Sequence, residues 1–251
     1  MRNGLGVNES IVHAAKSSSN AYWYRSGLGM FGSLEFQAFM DDFVGPVATN
    51  VPNGWTAAII DAGATTTTFT TAGTGANGVL QLLDANASEG SAFYGAKSLQ
   101  LTSGKRFFME MRFQTDDVTD NAVQFGLTDL TAVVNPEDLW TTTAANVVAW
   151  GLLDGVATPQ MLSDKSNSGS TAETGTLSVT ASTWTTLGIF WDGASGLYGF
   201  VNGIQALKWS QAAATTIPTG VALAPFVGHI NGNGAGNSLV LVDYVRWSCE
   251  R

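Results

Sequence analysis

The sequence is short of almost everything that reactive chemistry uses. It holds a single cysteine, Cys249, in 251 residues, so no internal disulfide can form and no cysteine cage for zinc exists. Its place near the end of the chain fits an inert strand-end thiol. The two histidines, His13 and His229, form no His-x-His or His-x-x-x-His pair, and His229 reads as a loop or strand-end residue. Charge is scarce as well: Asp, Glu, Lys and Arg make up 12% of the chain, against about 25% in ordinary soluble domains. With a net charge of −9, the chain repels nucleic acid phosphates and anionic lipid alike. No apolar run approaches the roughly 20 residues of a membrane helix. The opening MRNGLGVNES lacks the apolar stretch of about 7 to 15 residues that marks a signal peptide, so synthesis in a cytoplasm is expected.

What the chain does have is aromatic and apolar mass in strand-like order. Hydrophobic residues reach 45%, with 13 Phe and 8 Trp, enough to cover two facing sheets. In KRFFMEMRFQ, Phe107, Met109, Met111 and Phe113 fall on one face and Phe108, Glu110, Arg112 and Gln114 on the other. Leu187, Ile189 and Trp191 alternate in the same way, and SLVLVDYVRWS at 238–248 is rich in β-branched and aromatic residues. Shorter runs at 55–60, 65–71, 78–83, 97–102, 122–128, 146–153, 176–180, 204–209 and 221–230 are divided by Gly, Asn, Asp or Pro turns. About a dozen strands without intervening helices predict an all-β, antiparallel two-sheet jelly-roll sandwich. Pro136 to Trp140 is the one candidate helical turn. The first 35 residues differ, with KSSSN and spaced glycines, and read as an extended N-terminal arm ahead of a domain over 36–251. Tyr22, Trp23, Tyr24 and Arg25 stand within that arm as a candidate partner-binding anchor.

The stretch FWDGASGLYGFVNG, Phe190 to Gly203, resembles paired strands of concanavalin A-like and laminin G-like jelly rolls. Its Asp192-Gly193 and Asn202-Gly203 dipeptides are tight-turn signals on local grounds alone. VDYVRW, Val242 to Trp247, is similar to the closing strand of family 16 glycoside hydrolases, so the likeness implies a lectin- or glucanase-like fold over roughly residues 90–248. The layout, a low-charge jelly roll beginning near DDFVG at 41–45 behind an arm, also resembles tailed-phage capsid decoration proteins.

Chemistry of the resembled hydrolases is missing from the text. Family 16 enzymes carry Glu-x-Asp-x-x-Glu on one strand, where alternate positions share a face, yet no Glu here has an Asp or Glu two positions away. Glu110 comes closest in setting, with Arg112 at the next same-face position, and reads as half of an exposed ion pair. A serine triad with His229 lacks any Gly-x-Ser-x-Gly elbow. GLGMFG at 27–32 and GTGANG at 73–78 match a dinucleotide pattern but open no helix. For a sugar or calcium site the candidates are Asp154, Asp164, Asn167, Asn231, Asn233 and Asn237, with Trp140 or Trp150 as platforms. Asn in loops mostly serves turns and Trp in sandwiches mostly serves the core, so these residues do not by themselves name a sugar site.

The expectation from sequence is a non-enzymatic virion protein without catalytic residues, cofactor or metal. It would decorate a phage capsid surface by contact with the major capsid protein or another virion protein, as a homo-oligomer, with a trimer implied by the resemblance. The alternatives are a carbohydrate-binding lectin-like module for host attachment and a diverged, inactive family 16-like domain.

Overall fold

A computed structural model of the chain describes residues 36–41, 43, 54–60, 68–71, 78–84, 89–130, 146–166, 171–194, 196–209, 216–232 and 238–250. Its strands are β1 Phe36–Asp41, β2 Thr56–Ile60, β3 Thr68–Thr71, β4 Leu80–Asp84, β5 Gly90–Tyr94, β6 Phe107–Thr115, β7 Asn121–Thr128, β8 Asn146–Leu153, β9 Val156–Lys165, β10 Thr171–Thr174, β11 Thr185–Trp191, β12 Leu197–Val201, β13 Ile204–Trp209, β14 Ala224–Asn231 and β15 Ser238–Glu250. One sheet runs β13-β12-β11-β6-β15-β4-β3, with β1 also on β15, and the other runs β10-β9-β8-β7-β14-β5-β2. Every ladder between these strands is antiparallel. The chain is therefore an all-β, two-sheet jelly-roll sandwich, as the alternating sequence predicts.

The period of two in β6 places Phe107, Met109, Met111 and Phe113 in the interior, all buried. Facing them from the other sheet are Val123, Phe125 and Leu127 of β7, Val148, Trp150 and Leu152 of β8, and Val227 of β14. The tight turns form where the dipeptides predict: Asn202 and Gly203 both take positive φ, 50° and 76°, which matches the twist of the β12–β13 hairpin. Asp192 closes its own turn, Oδ1 accepting from the amides of Ala194 at 2.8 Å and Gly196 at 2.9 Å.

β15 holds the eight-stranded sheet together. Its residues Val240 to Cys249 pair with β6, Ser238 to Val242 pair with β4, and Val245 to Glu250 pair with β1. A bulge between Val242 and Tyr244 inserts Asp243 against β6. Two expected strands are corrected. Residues 97–102 make only isolated bridges, Leu99 to Leu223 and Leu101 to Thr219. Residues 176–180 form no strand, and the neighbouring Thr171–Thr174 pairs with β9 instead. The proposed turn at Pro136 to Trp140 lies outside the described residues.

The seven-stranded sheet is packed on both of its faces, since all eight residues of β7 and of β14 are buried. Its inter-strand spacing leaves no room at Gly151, where a Cβ would stand 2.0 Å from the Val123 carbonyl oxygen on β7. Gly151→Ala must push these strands apart, so we expect it to lower stability by about 1–3 kcal/mol. Urea unfolding at equilibrium checks this, and an unchanged midpoint would contradict the tight register of β7 on β8.

Candidate functional site

At one end of the sandwich lies a cleft of about 430 Å³, walled by Trp55, just ahead of β2, and Trp247 on β15. The two indoles meet edge to face with centroids 6.4 Å apart, and Phe43 backs Trp55 at 6.5 Å. Trp247 points here because the β15 bulge restores an inward orientation to Val245 and, two residues on, to Trp247, which packs against the core. The opposite wall is the segment 95–105 between β5 and β6. Its Leu99 and Leu101 are buried, so the alternating Ser98, Gln100 and Thr102 line the cleft as a polar row. The Thr102 hydroxyl donates to Gln100 Oε1 at 3.5 Å, and the Trp191 indole N–H anchors the Thr102 carbonyl at 3.3 Å.

Lys105, Cys249 and Glu250 complete the rim. Glu250 is locked to Arg106: the Arg106 amide donates to Oε2 and its Nε to Oε1, each at 2.7 Å, and Nη2 adds a third bond to Oε1. Burial alone would raise the Glu250 carboxyl. The hydrogen bonds from Arg106, with the charges of Arg106 and Lys105, outweigh burial and hold it below the ordinary glutamate value. The cleft thus offers an aromatic wall, an amide, two hydroxyls and fixed charges within a volume suited to a small ligand.

Two further polar arrangements lie apart from the cleft. His229 sits in β14 rather than in a loop or at a strand end, and it is wholly buried between the sheets. Its Nδ1 is 2.7 Å from Asp84 Oδ2 on β4, and its Nε2 is 2.6 Å from Ser238 Oγ on β15. The residue types and spacings are those of a serine triad, but the proton direction is wrong. Ser238 donates its only hydroxyl proton to Asn121 Oδ1 at 2.5 Å. Asn121 is fixed in that orientation because its Nδ2 donates to the Asp116 carboxylate at 2.8 Å. Nε2 therefore faces Ser238 as a donor, whereas nucleophile activation requires it to accept. The constellation cross-links three strands from two sheets.

On the outer face of the eight-stranded sheet, Glu110 accepts from Tyr244 Oη at 2.6 Å and Arg246 Nε at 2.8 Å, and also from Arg246 Nη2. The exposed Glu110–Arg112 pair expected from the alternation does not form. Cross-strand register sets Arg246 directly opposite Glu110, while Arg112 pairs with Asp243 in the bulge at 2.5 Å and lies over the Trp184 ring at 4.8 Å. Burial raises the Glu110 carboxyl, and Arg246 and Tyr244 offset only part of that rise.

The sugar and calcium candidates do not converge. Trp150 is fully buried and donates its indole N–H to the Phe200 carbonyl at 3.1 Å, so it belongs to the core and is no platform. Asp154 and Asp164 stand at opposite ends of the β8–β9 hairpin. Asn231 is buried and donates weakly to the Asp84 carbonyl at 3.5 Å. Trp140, Asn167, Asn233 and Asn237, and the arm residues Tyr22, Trp23, Tyr24 and Arg25, lie outside the described residues. Sequence reading missed the cleft because Trp55 and Trp247 carry no local signal. Only the pairing of the sheets brings them together.

Gln124 in β7 is a separate anomaly: it is wholly buried, and neither amide atom has a hydrogen-bond partner. Its same-row neighbours are Gly151 on β8 and Gly228 on β14. An unmade bond of this kind costs about 1–3 kcal/mol. We expect Gln124→Leu to raise the urea midpoint by an equivalent of about 1–2 kcal/mol, and a loss of stability would show that the amide is satisfied in solution. Glu110 gives a pH prediction. Its folded-state value lies above the unfolded one, so its contribution is complete below about pH 4 and is lost as pH rises through the folded value. The stability of the wild type relative to Glu110→Gln should therefore fall from pH 4 towards neutrality. Unfolding curves for both proteins across that range test the sign, and a difference that grows with pH would refute it.

No protein-family model matches the chain, nor does any curated protein. Solved structures share its fold. One is an endo-acting O-glycanase from a study of mucin breakdown by human gut bacteria, with 12% identity over 83% of this chain and 97% of that one, at a TM-score of 0.57. Peanut lectin matches at 12% identity over 86% and 97%, with a TM-score of 0.56. A putative β-glucanase from Mycobacterium abscessus matches at 20% identity over 83% and 98%, with a TM-score of 0.53. These neighbours overturn the expectation of a capsid decoration protein on a virion surface, because they are named for glycan cleavage or lectin activity and none is a virion component. The expectation of a non-enzymatic protein is corrected on the same ground, two of the three being named as glycan-cleaving enzymes. The chain has the lectin- and glucanase-like jelly-roll fold.

Proposed function

We propose that this jelly roll is a carbohydrate-active protein and that its glycan is held in the cleft between Trp55 and Trp247. The observation that carries the reading is the juxtaposition of an aromatic wall with the polar row Ser98, Gln100 and Thr102. A sugar ring presents apolar C–H faces and an equatorial rim of hydroxyls, so it needs both surfaces at once. Binding sites of this size are commonly apolar clefts with a few placed polar groups. The neighbours of the same fold named for glycan cleavage or lectin activity support the same class of ligand.

The cleft is also rigid where it must be. The Trp191 anchor on Thr102 and the bridges at Leu99 and Leu101 fix the polar row before any ligand arrives. Little ordering entropy is then lost on binding.

The test is titration calorimetry against neutral and acidic oligosaccharides, with reducing ends measured in the same samples to detect turnover. We expect Trp247→Ala and the double variant Gln100→Ala, Thr102→Ala each to weaken glycan binding about tenfold or more, roughly 1.4 kcal/mol. The double variant touches no core residue and should keep the wild-type unfolding midpoint. Undiminished affinity in both variants would place the glycan elsewhere.

A further inference from the structure

Resting on the reading of this cleft as a glycan site, we infer that its ligand is an anionic saccharide, one that bears carboxylate or sulfate groups. The chain has only 11 Lys and Arg and a net charge of −9. Three of those cations gather here. Lys105 lines the cleft, Arg106 follows it, and Lys97 stands between the lining residues Ala96 and Ser98. Glu250 is the carboxylate among the described lining residues, and its charge is matched by Arg106 in the ion pair already described.

Lys97 and Lys105 are both exposed, Lys105 lining the cleft and Lys97 lying beside its lining residues, which leaves positive charge in excess near the mouth of a cleft in an acidic protein. Asp192 on the facing turn has its carboxylate directed into its own loop by the amides of Ala194 and Gly196; it keeps its charge, so the local excess is about one positive charge. The other described cations are used elsewhere: Arg112 with Asp243, Arg246 with Glu110, Lys208 over the Tyr198 ring, and Lys165 with the Thr219 hydroxyl at 3.4 Å.

Lys105 also rises from a fixed backbone. Its amide donates to the Thr102 carbonyl at 3.1 Å, and the turn at Gly193 packs so close that a Cβ there would come within 2.9 Å of the Lys105 nitrogen. The root of the side chain is thereby fixed at the rim, which keeps its charge within reach of the cleft. At ordinary ionic strength the screening length is about 10 Å, so the acidic groups on distant faces do little to cancel two lysines at the site itself. A neutral saccharide could take hydrogen bonds from these lysines but would gain no charge–charge attraction from them.

The experiment compares three ligands of matched length with the intact protein: a uronic acid oligosaccharide, a sulfated oligosaccharide and a neutral glucan. Cys249, the sole cysteine, lines the cleft, so the rate of its modification by a maleimide reports occupancy of this site independently of turnover. We expect at least one anionic ligand to bind more tightly than the neutral one and to slow the modification of Cys249. Lys97→Gln and Lys105→Gln should each weaken that anionic ligand by about two- to fivefold, and their effect should vanish at about 1 M salt. Equal or tighter binding of the neutral glucan, with Cys249 protected, would overturn the anionic preference and leave the cleft as a glycan site. Anionic binding that leaves Cys249 unprotected, or no saccharide binding at all, would overturn both. The uronate and sulfate arms identify which acidic group is taken.

Discussion

One inserted residue governs how this sandwich is finished. Asp243 has no partner in the β6 ladder, and its insertion shifts the facing of every later residue of β15 by one. Before it, Val240 and Val242 face the core; after it, Val245 does, followed by Trp247. Without the bulge, strict alternation from Val242 would turn Tyr244 and Arg246 inward and Val245 and Trp247 out to solvent. The bulge therefore sets three things at once: the core contact of Val245, the wall of the cleft, and the pairing of Arg246 with Glu110. Asp243 itself is bonded by Arg112, the cation that sequence spacing would assign to Glu110.

Much of the fold was written in plain view. The alternation in β6 and the Asn-Gly turn after β12 are local signals, and each strand reports its own face. The parts that escaped reading have physical causes. β9 contains Pro159, which ordinarily argues against a central strand, but it falls beside the register shift between Gly151 and Leu153, where the ladder to β8 is broken. β5, GSAFY, is buried throughout because both faces of its sheet are covered, so it shows no alternation. Residues 97–102 do alternate, yet they cross from one sheet towards the other and find single bridges in place of a ladder.

The site was far less legible than the fold. Trp55 and Trp247 are far apart in the sequence, one just ahead of β2 in the seven-stranded sheet and the other on β15 of the eight-stranded sheet, and nothing local distinguishes them from core tryptophans such as Trp150. The asparagines and aspartates that drew attention did so by residue type, and type alone does not bring groups together. His229 shows the converse. Its glycine-rich surroundings suggest a loop, yet β14 runs through His229 to Asn231, and β5 packs so close beside it that a Cβ at Gly90 would come within 2.7 Å of the His229 carbonyl oxygen. The layout likeness to decoration proteins misled for a related reason. Low charge and a glycine-rich jelly roll describe a way of covering two sheets, and that architecture serves many functions.

The buried polar groups separate into two kinds, and the contrast bears on where function can reside. Ser238 bonds both His229 and Asn121, and the Asp84 carboxylate approaches His229 Nδ1 at 2.7 Å, so that β4, β14, β15 and β7 meet through polar groups at one end of the sandwich. Such a network rigidifies its end of the molecule. Gln124 is the opposite case, a buried amide with no recipient, flanked by glycines on both neighbouring strands. A leucine would avoid the unsatisfied bonds at that position. Stability at this site and the identity of the residue therefore point in different directions, a conflict that folded proteins concentrate at functional or strained positions. The cleft at Trp55 and Trp247 shows no such conflict in its bonded pair: Arg106 satisfies Glu250, and the polar row is exposed to solvent or a ligand. The recognition proposed there would rely on a preformed surface, with no unsatisfied group to drive it. Affinity in a cleft of that kind comes from shape and charge complementarity, and its charge is set by which cations the fold leaves unpaired.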